Sequence, residues 1–325
     1  MDNVTHALTG LILARCGLPR AGKYSGVLMI LAANAPDIDA VSLFGGPMTY
    51  LEYHRGYTHS LAFAPLMALL PVLILRLAGV RFSLAGYLGS LAGVLSHLLL
   101  DLTGGYGVRL LLPFSAGWLR LDITDLVDFW ILAMLLLALA APALAGLVSS
   151  EVGSRKIEGP KRAWAWFAII GLVVYDTGRF VSHERALAVL GSHVYGGEVP
   201  RRATALPAGF SPLRWRGIVE GEDFAYEVMV DLTRDFDPGA GVVAYVPGAS
   251  PALDAARRTP PFQAFERFNQ LPFWRLVPQP DGLEVELLDL RLGSLVRPGF
   301  VATALVEPGG KVRDAQLSLG GLPRR

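Results

Sequence analysis

Over the first 180 or so residues, apolar side chains run in long blocks separated by short polar turns; beyond residue 181 the blocks shrink to short alternating stretches. Four blocks, Leu61–Leu77, Leu84–Leu100, Leu126–Val148 and Ala163–Val181, reach the roughly 17–25 residues a helix needs to cross a bilayer. Asp176 and Arg179 in the last one predict that its end lies at the interface. Two shorter pieces, Ala7–Leu18 and Ser25–Ala35, flank Pro19-Arg20-Ala21-Gly22-Lys23, which reads as the turn of a helical hairpin. Phe224–Val230 and Leu283–Leu287 alternate with a period of two and predict strands. The expected fold is mainly α: a polytopic membrane helical bundle of four full spans plus an N-terminal short helical hairpin, then a small β-rich C-terminal domain. The expected domains are 1–181, embedded in the membrane, and 182–325, outside it.

Composition strengthens the membrane reading. Hydrophobic residues make up 52% of the chain and charged ones 18%, against about 25% charged in an ordinary soluble domain. Mean hydropathy is +0.43. A net charge of +1 gives no basic surplus for nucleic acid. Cys16 is the single cysteine, so no internal disulfide or CxxC site exists, and any metal falls to histidines and carboxylates. The start lacks the basic region of a cleaved signal peptide, which predicts that it belongs to the mature fold. Nine basic residues (Arg15, Arg20, Lys23, Arg76, Arg81, Arg155, Lys156, Lys161, Arg162) fall in connections on one side of the expected bundle, and three (Arg55, Arg109, Arg120) on the other. The positive-inside bias puts the nine in the cytoplasm of a cell inner membrane and the C-terminal domain outside.

Four of the six histidines lie in the first hundred residues, each near an acidic or polar companion: Thr5-His6, Pro36-Asp37-Ile38-Asp39, His54-Arg55-Gly56-Tyr57-Thr58-His59-Ser60 and His97-Leu98-Leu99-Leu100-Asp101. His97 and Asp101 are one helical turn apart and share a face. On the expected topology His6, Asp37, Asp39, His54, His59, His97, Asp101 and the acidic run Asp122, Asp125 and Asp128 all sit at the outward membrane face. Alone, Thr5-His6 reads as a helix cap, Pro-Asp-x-Asp as a turn and the acidic run as an N-terminal charge bias. Together, at costly positions near lipid, they predict a functional site. Imidazole with carboxylate suits Zn²⁺, Mn²⁺ or Fe²⁺, with room for two or more ions. His183 and His193 have no matching acidic companions and are left out. Arg55 and Arg109 can each meet an anionic substrate or anchor at the head-group level.

These strings resemble the YdjM-like family of inner-membrane proteins regarded as metal-dependent hydrolases. The resemblance covers about residues 1–135 and rests on Thr5–Gly10, Pro36–Asp39, the HRGYTHS string His54–Ser60, Ser96–Asp101, Tyr106–Val108 and Pro113-Phe114. It implies that Asp128, followed by Phe129-Trp130, is a late acidic ligand. The His-x-x-x-Asp helix with an upstream Asp is also similar to zinc-dependent phospholipase C enzymes, which implies a phosphoester and a lipid.

The resulting expectation is a multi-pass metal-dependent hydrolase acting on a lipid or lipid-linked phosphoester, with membrane lipids as its partners. Its metal would be held by His6, Asp37, Asp39, His54, His59, His97, Asp101 and Asp128, with Asp39 as ligand or general base and Arg55 at the substrate. The rival is a non-catalytic scaffold with a structural metal and a C-terminal domain that binds a protein partner. A transporter fits poorly, because the cluster sits at one face and no paired broken helices recur.

Overall fold

A computed structural model of the chain describes residues 1–18, 22–81, 83–151 and 161–320. Most of the expected turn at Pro19–Lys23, and Arg155 and Lys156 of the 149–162 connection, lie outside the described residues. Helices α1 (Asn3–Arg15), α2 (Ser25–Asn34), α3 (Pro47–Tyr53), α4 (Ala64–Leu77), α5 (Leu84–Thr103), α6 (Phe129–Glu151) and α7 (Lys161–Gly191) come first, with 3₁₀ turns at Pro36–Gly45 and Tyr57–His59. Two compact units result: Met1–Asp39 with Arg55–Val181, and Ala40–His54 with Ser182–Arg325.

In the first unit Asp2 caps α1 by accepting from the amides of Val4 and Thr5, which would otherwise lack partners. Small residues then let backbones meet. A Cβ on Gly10 would stand 2.4 Å from the Met29 carbonyl oxygen, and one on Gly93 would stand 2.7 Å from the Ala32 Cβ, so α1 and α5 both close onto α2. Ile12, Ile131, Leu135, Ala165 and Ala168 form one core cluster, and Ala35, Ala68, Val94, Leu98 and Val108 another. The opposite faces stay apolar: Leu137 of α6 and Ile170, Val173 and Val174 of α7 are exposed. Such a surface suits hydrocarbon better than water.

Three described helices are long and apolar enough to cross a membrane, Leu84–Thr103, Phe129–Leu147 and Lys161–Gly191. The count rises to five if two bent pairs each make a span: Gly22–Asn34 with Pro36–Gly45 (50°), and Pro47–His59 with Ala64–Leu77 (88°). The expected span Leu61–Leu77 is not one of the three: its helix has 14 residues, about 21 Å at 1.5 Å per residue against a hydrocarbon core of about 30 Å, and it reaches span length only together with the bent segment before it. Leu61 to Phe63 form a turn, with Phe63 at the cap and Pro65 in the first helical turn, where proline is tolerated because that N–H has no helical partner.

The second unit contains two four-stranded antiparallel meanders. One is β1 (Arg202–Pro207), β2 (Arg214–Glu220), β3 (Phe224–Asp231) and β4 (Val242–Tyr245); the other is β5 (Pro272–Gln279), β6 (Gly282–Asp289), β7 (Phe300–Val306) and β8 (Val312–Leu319). Helices α8 (Pro251–Arg257) and α9 (Pro260–Phe268) connect them. Leu206, Ile218 and Ala225 of the first sheet share a core with Phe273, Leu288 and Val301 of the second. A domain of two antiparallel sheets therefore follows the helical half.

Candidate metal centre

One helix and two 3₁₀ turns bring the site together. Helix α5 places His97 and Asp101, both fully buried, one turn apart. The turn after α2 supplies Asp37 and Asp39, and the turn before α4 supplies His59, also fully buried. One ligand atom from each of Asp37, His59, His97 and Asp101 lies within 4.8 Å of the others.

The ring orientations follow from hydrogen bonds. His97 Nδ1 donates to the Ala33 carbonyl at 2.7 Å, which leaves Nε2 with its lone pair. Thr58 Oγ1 donates its one proton to Asp39 Oδ2 at 2.6 Å. His59 Nδ1 lies 3.1 Å from that carboxylate oxygen and 3.0 Å from Thr58 Oγ1, so it must be the donor. When neutral, the His59 ring therefore also presents an Nε2 lone pair. The two Nε2 atoms face each other at 3.1 Å. Around them, His59 Nε2 is 3.3 Å from Asp37 Oδ1 and 3.5 Å from Asp101 Oδ2, and His97 Nε2 is 3.7 and 3.3 Å from the same oxygens. Electron-rich atoms in this arrangement repel unless a proton or a metal cation lies among them. A tetrahedral ion with bonds of about 2.0–2.2 Å has donor–donor edges of about 3.3–3.6 Å, close to the spacings found. Asp101 Oδ2 is buried and has no hydrogen-bond partner among the described residues. The donor set thus fits a divalent ion of the zinc, manganese or iron kind.

The other oxygen of Asp101 meets positive charge. Arg55 Nη2 donates to Oδ1 at 2.9 Å, and the main-chain nitrogen of Met1 touches the same atom. Arg55 is itself clamped: its amide donates to Asp39 Oδ2 at 3.0 Å, Nη1 to the Gly107 carbonyl at 3.3 Å, and its guanidinium lies 4.7 Å above the Tyr106 ring. Its φ of 55° is in the left-handed region, a conformation that costs a non-glycine residue about 1–2 kcal/mol.

The remaining expected residues are placed as follows. The His6 ring stacks on His97 with centroids 3.8 Å apart, and its Nε2 is 3.3 Å from Asp101 Oδ1. Neither His6 nitrogen makes a hydrogen bond to the described residues. His54 closes α3 and stacks on Tyr50 at 4.4 Å. Asp128 stands outside the four-residue group; it accepts from the amides of Trp130 and Ile131 at the start of α6 and from Tyr175 Oη at 3.0 Å. Asp122 pairs with Arg120 at 2.9 Å, Asp125 accepts from the Leu126 amide, and Arg109 lies over Trp118. Sequence reasoning missed Thr58, Tyr106 and the Ala33 carbonyl. Thr58 lies inside the HRGYTHS string and Tyr106 in the segment Tyr106–Val108; nothing in the sequence marks a main-chain carbonyl.

The family model described as YdjM inner membrane protein matches residues 1–186. The uncharacterized protein YfhP of Bacillus subtilis (strain 168) is 29% identical over 152 residues, 43% of this chain and 46% of that protein. The chain thus spans about half the length of that relative. The inner membrane protein YbcI of Escherichia coli (strain K12) is 38% identical over 123 residues, 34% of this chain and 67% of that protein. No solved structure matches, and nothing supports the likeness to zinc-dependent phospholipase C. The matched residues hold every side chain of the His/Asp cluster and, of the three helices long and apolar enough to cross a membrane, two whole and most of the third, and the chain belongs to the YdjM inner membrane protein family.

Proposed function

We propose that this is a membrane-embedded metal-dependent hydrolase whose site opens at the outer membrane–water interface and takes a lipid or lipid-linked phosphoester. The observation that carries the metal part is the convergence of two imidazole nitrogens and two carboxylate oxygens at 3.1–3.7 Å, with His59, His97 and Asp101 fully buried and Asp37 half-buried. Bound there, a divalent ion supplies Lewis acidity toward a phosphoryl or carbonyl oxygen and brings the pKa of water down toward about 7. Asp37, His59, His97 and Asp101 would hold it. Asp39, Thr58 and the Ala33 carbonyl set the direction of the two rings, as carboxylates and carbonyls behind metal-binding histidines do. With Oδ2 of Asp39 engaged by the Arg55 amide, Thr58 and His59, positioning suits Asp39 better than proton abstraction. The basic asymmetry supports the outward orientation. Lipid as substrate is supported by Leu99, exposed on the same helix that buries His97 and Asp101.

A second reading, a structural ion in a scaffold whose C-terminal domain binds a partner protein, is favoured by the four protein donors, since closed shells mark structural sites. Turnover separates the two. Purified protein in detergent with Zn²⁺ or Mn²⁺ is offered a panel of phospholipids and lipid phosphates; hydrolysis is expected in the wild type and in His193→Ala, and none in His59→Ala. A wild type that holds metal, unfolds on its removal and cleaves nothing would leave the scaffold.

A further inference from the structure

The two oxygens of Asp101 lie in different surroundings. Oδ2 faces the His59 and His97 nitrogens at 3.5 and 3.3 Å and has no hydrogen-bond partner among the described residues. Oδ1 has Arg55 Nη2 at 2.9 Å, the main-chain nitrogen of Met1 in contact, and His6 Nε2 at 3.3 Å. The His6–Oδ1 separation equals a coordination edge of about 3.3 Å, and both His6 nitrogens are buried without a hydrogen bond to the described residues. By distance alone, His6 and Oδ1 make half of a second ion site. The guanidinium occupies that half-site, beside the Met1 nitrogen on the same oxygen. Its Nη2 sits against the oxygen an ion would use, and its charge repels a divalent cation at short range.

We infer that Arg55 is a built-in counter-cation that closes the His6 side of Asp101 to metal, making Asp101 a one-oxygen ligand and leaving His6 outside the coordination shell of the wild type. The inference rests on the metal-binding part of the proposed function. The guanidinium is held in place by the left-handed backbone at φ 55°, by the Gly107 carbonyl on Nη1 at 3.3 Å, and by the Tyr106 ring 4.7 Å beneath it. A flexible surface arginine would move aside for an ion; one tied at main chain, fork and face does not. Arg55 acts through Asp101 and is a positioning residue.

The test counts metal. Full-length protein in detergent is stripped with chelator, reloaded with Zn²⁺ or Mn²⁺, passed over a desalting column and analysed for bound metal per chain. Arg55→Met keeps the length of the stem and loses the charge; it is expected to hold one equivalent more than the wild type. Arg55→Lys keeps the charge and should hold the wild-type number. Adding His6→Ala to Arg55→Met should remove the extra equivalent. His6→Ala alone should lose none, and this arm still decides the matter if Arg55→Met fails to fold. An Arg55→Met protein with the wild-type count, or a His6→Ala protein that loses an equivalent, overturns the inference while the metal-binding reading stands. A wild type that holds no metal removes both.

Discussion

Asp101 concentrates the physics of the site in one carboxylate: fully buried, shared between two imidazoles and a guanidinium, and on the helix turn that carries His97. A buried carboxylate needs compensating charge. Asp101→Asn keeps the volume, removes the charge that offsets a cation and leaves Arg55 facing an amide. Metal retained after desalting is expected to fall at least tenfold, while the protein still inserts, because apolar length and not the ligands drives insertion. Unchanged metal content in Asp101→Asn would refute the coordination set. Asp39→Asn probes the ring-orienting layer. It weakens the hold on His59 Nδ1 at 3.1 Å, and loss of such a partner costs about 10–100-fold in metal affinity. Titration against a competing chelator reads the shift, and an affinity equal to wild type would show that Asp39 orients nothing.

Among the elements, α2 is the one on which α1 and α5 converge, and glycine sets how closely. The virtual Cβ at Gly93 would come 2.7 Å from the Ala32 Cβ. Gly93→Leu should therefore force α5 away from α2 and destabilise the bundle by about 1–3 kcal/mol, the usual cost of overpacking, seen as a lower unfolding temperature in detergent. Gly146→Ala on α6 is the control, since no described residue comes within 4 Å of its virtual Cβ; it should match the wild type or exceed it, alanine being the better helix former. Equal losses in both would mean that the backbone approach is not what the glycine provides. The break before α4 belongs to the same scale. His59 is reached by a 3₁₀ turn and an 88° bend, so the segment that could have been a straight span delivers a ligand.

Across the whole molecule, an apolar helical half carries the charged cluster and a two-sheet domain follows it. The nine-to-three asymmetry of basic residues in the connections predicts that the site and the C-terminal domain face outward. Alkaline phosphatase fused after Arg325 should be active in a bacterial host, and so should a fusion in the 104–128 connection. Activity only from a cytoplasmic reporter at both positions would invert the orientation and bring the substrate from the cytoplasmic leaflet.

Several features were determined by the sequence alone, because they depend on near neighbours. Apolar runs of span length anticipated α5, α6 and α7, the period-two stretches at Phe224–Val230 and Leu283–Leu287 fell within β3 and β6, and the four-residue spacing put His97 and Asp101 on one face. The list of chemistry-bearing side chains was legible too, since histidines and aspartates stand out in a chain with 18% charged residues. Which of them meet was a matter for the tertiary structure. Asp37, His59, His97 and Asp101 converge, whereas Asp128 is taken up by Tyr175 and the cap of α6. The same holds for the Ala33 carbonyl that turns His97, the Arg55 guanidinium on Asp101 and the bend that shortens α4. Each depends on contacts between residues distant along the chain or on a backbone angle that no local periodicity encodes, so only the packed fold could decide them.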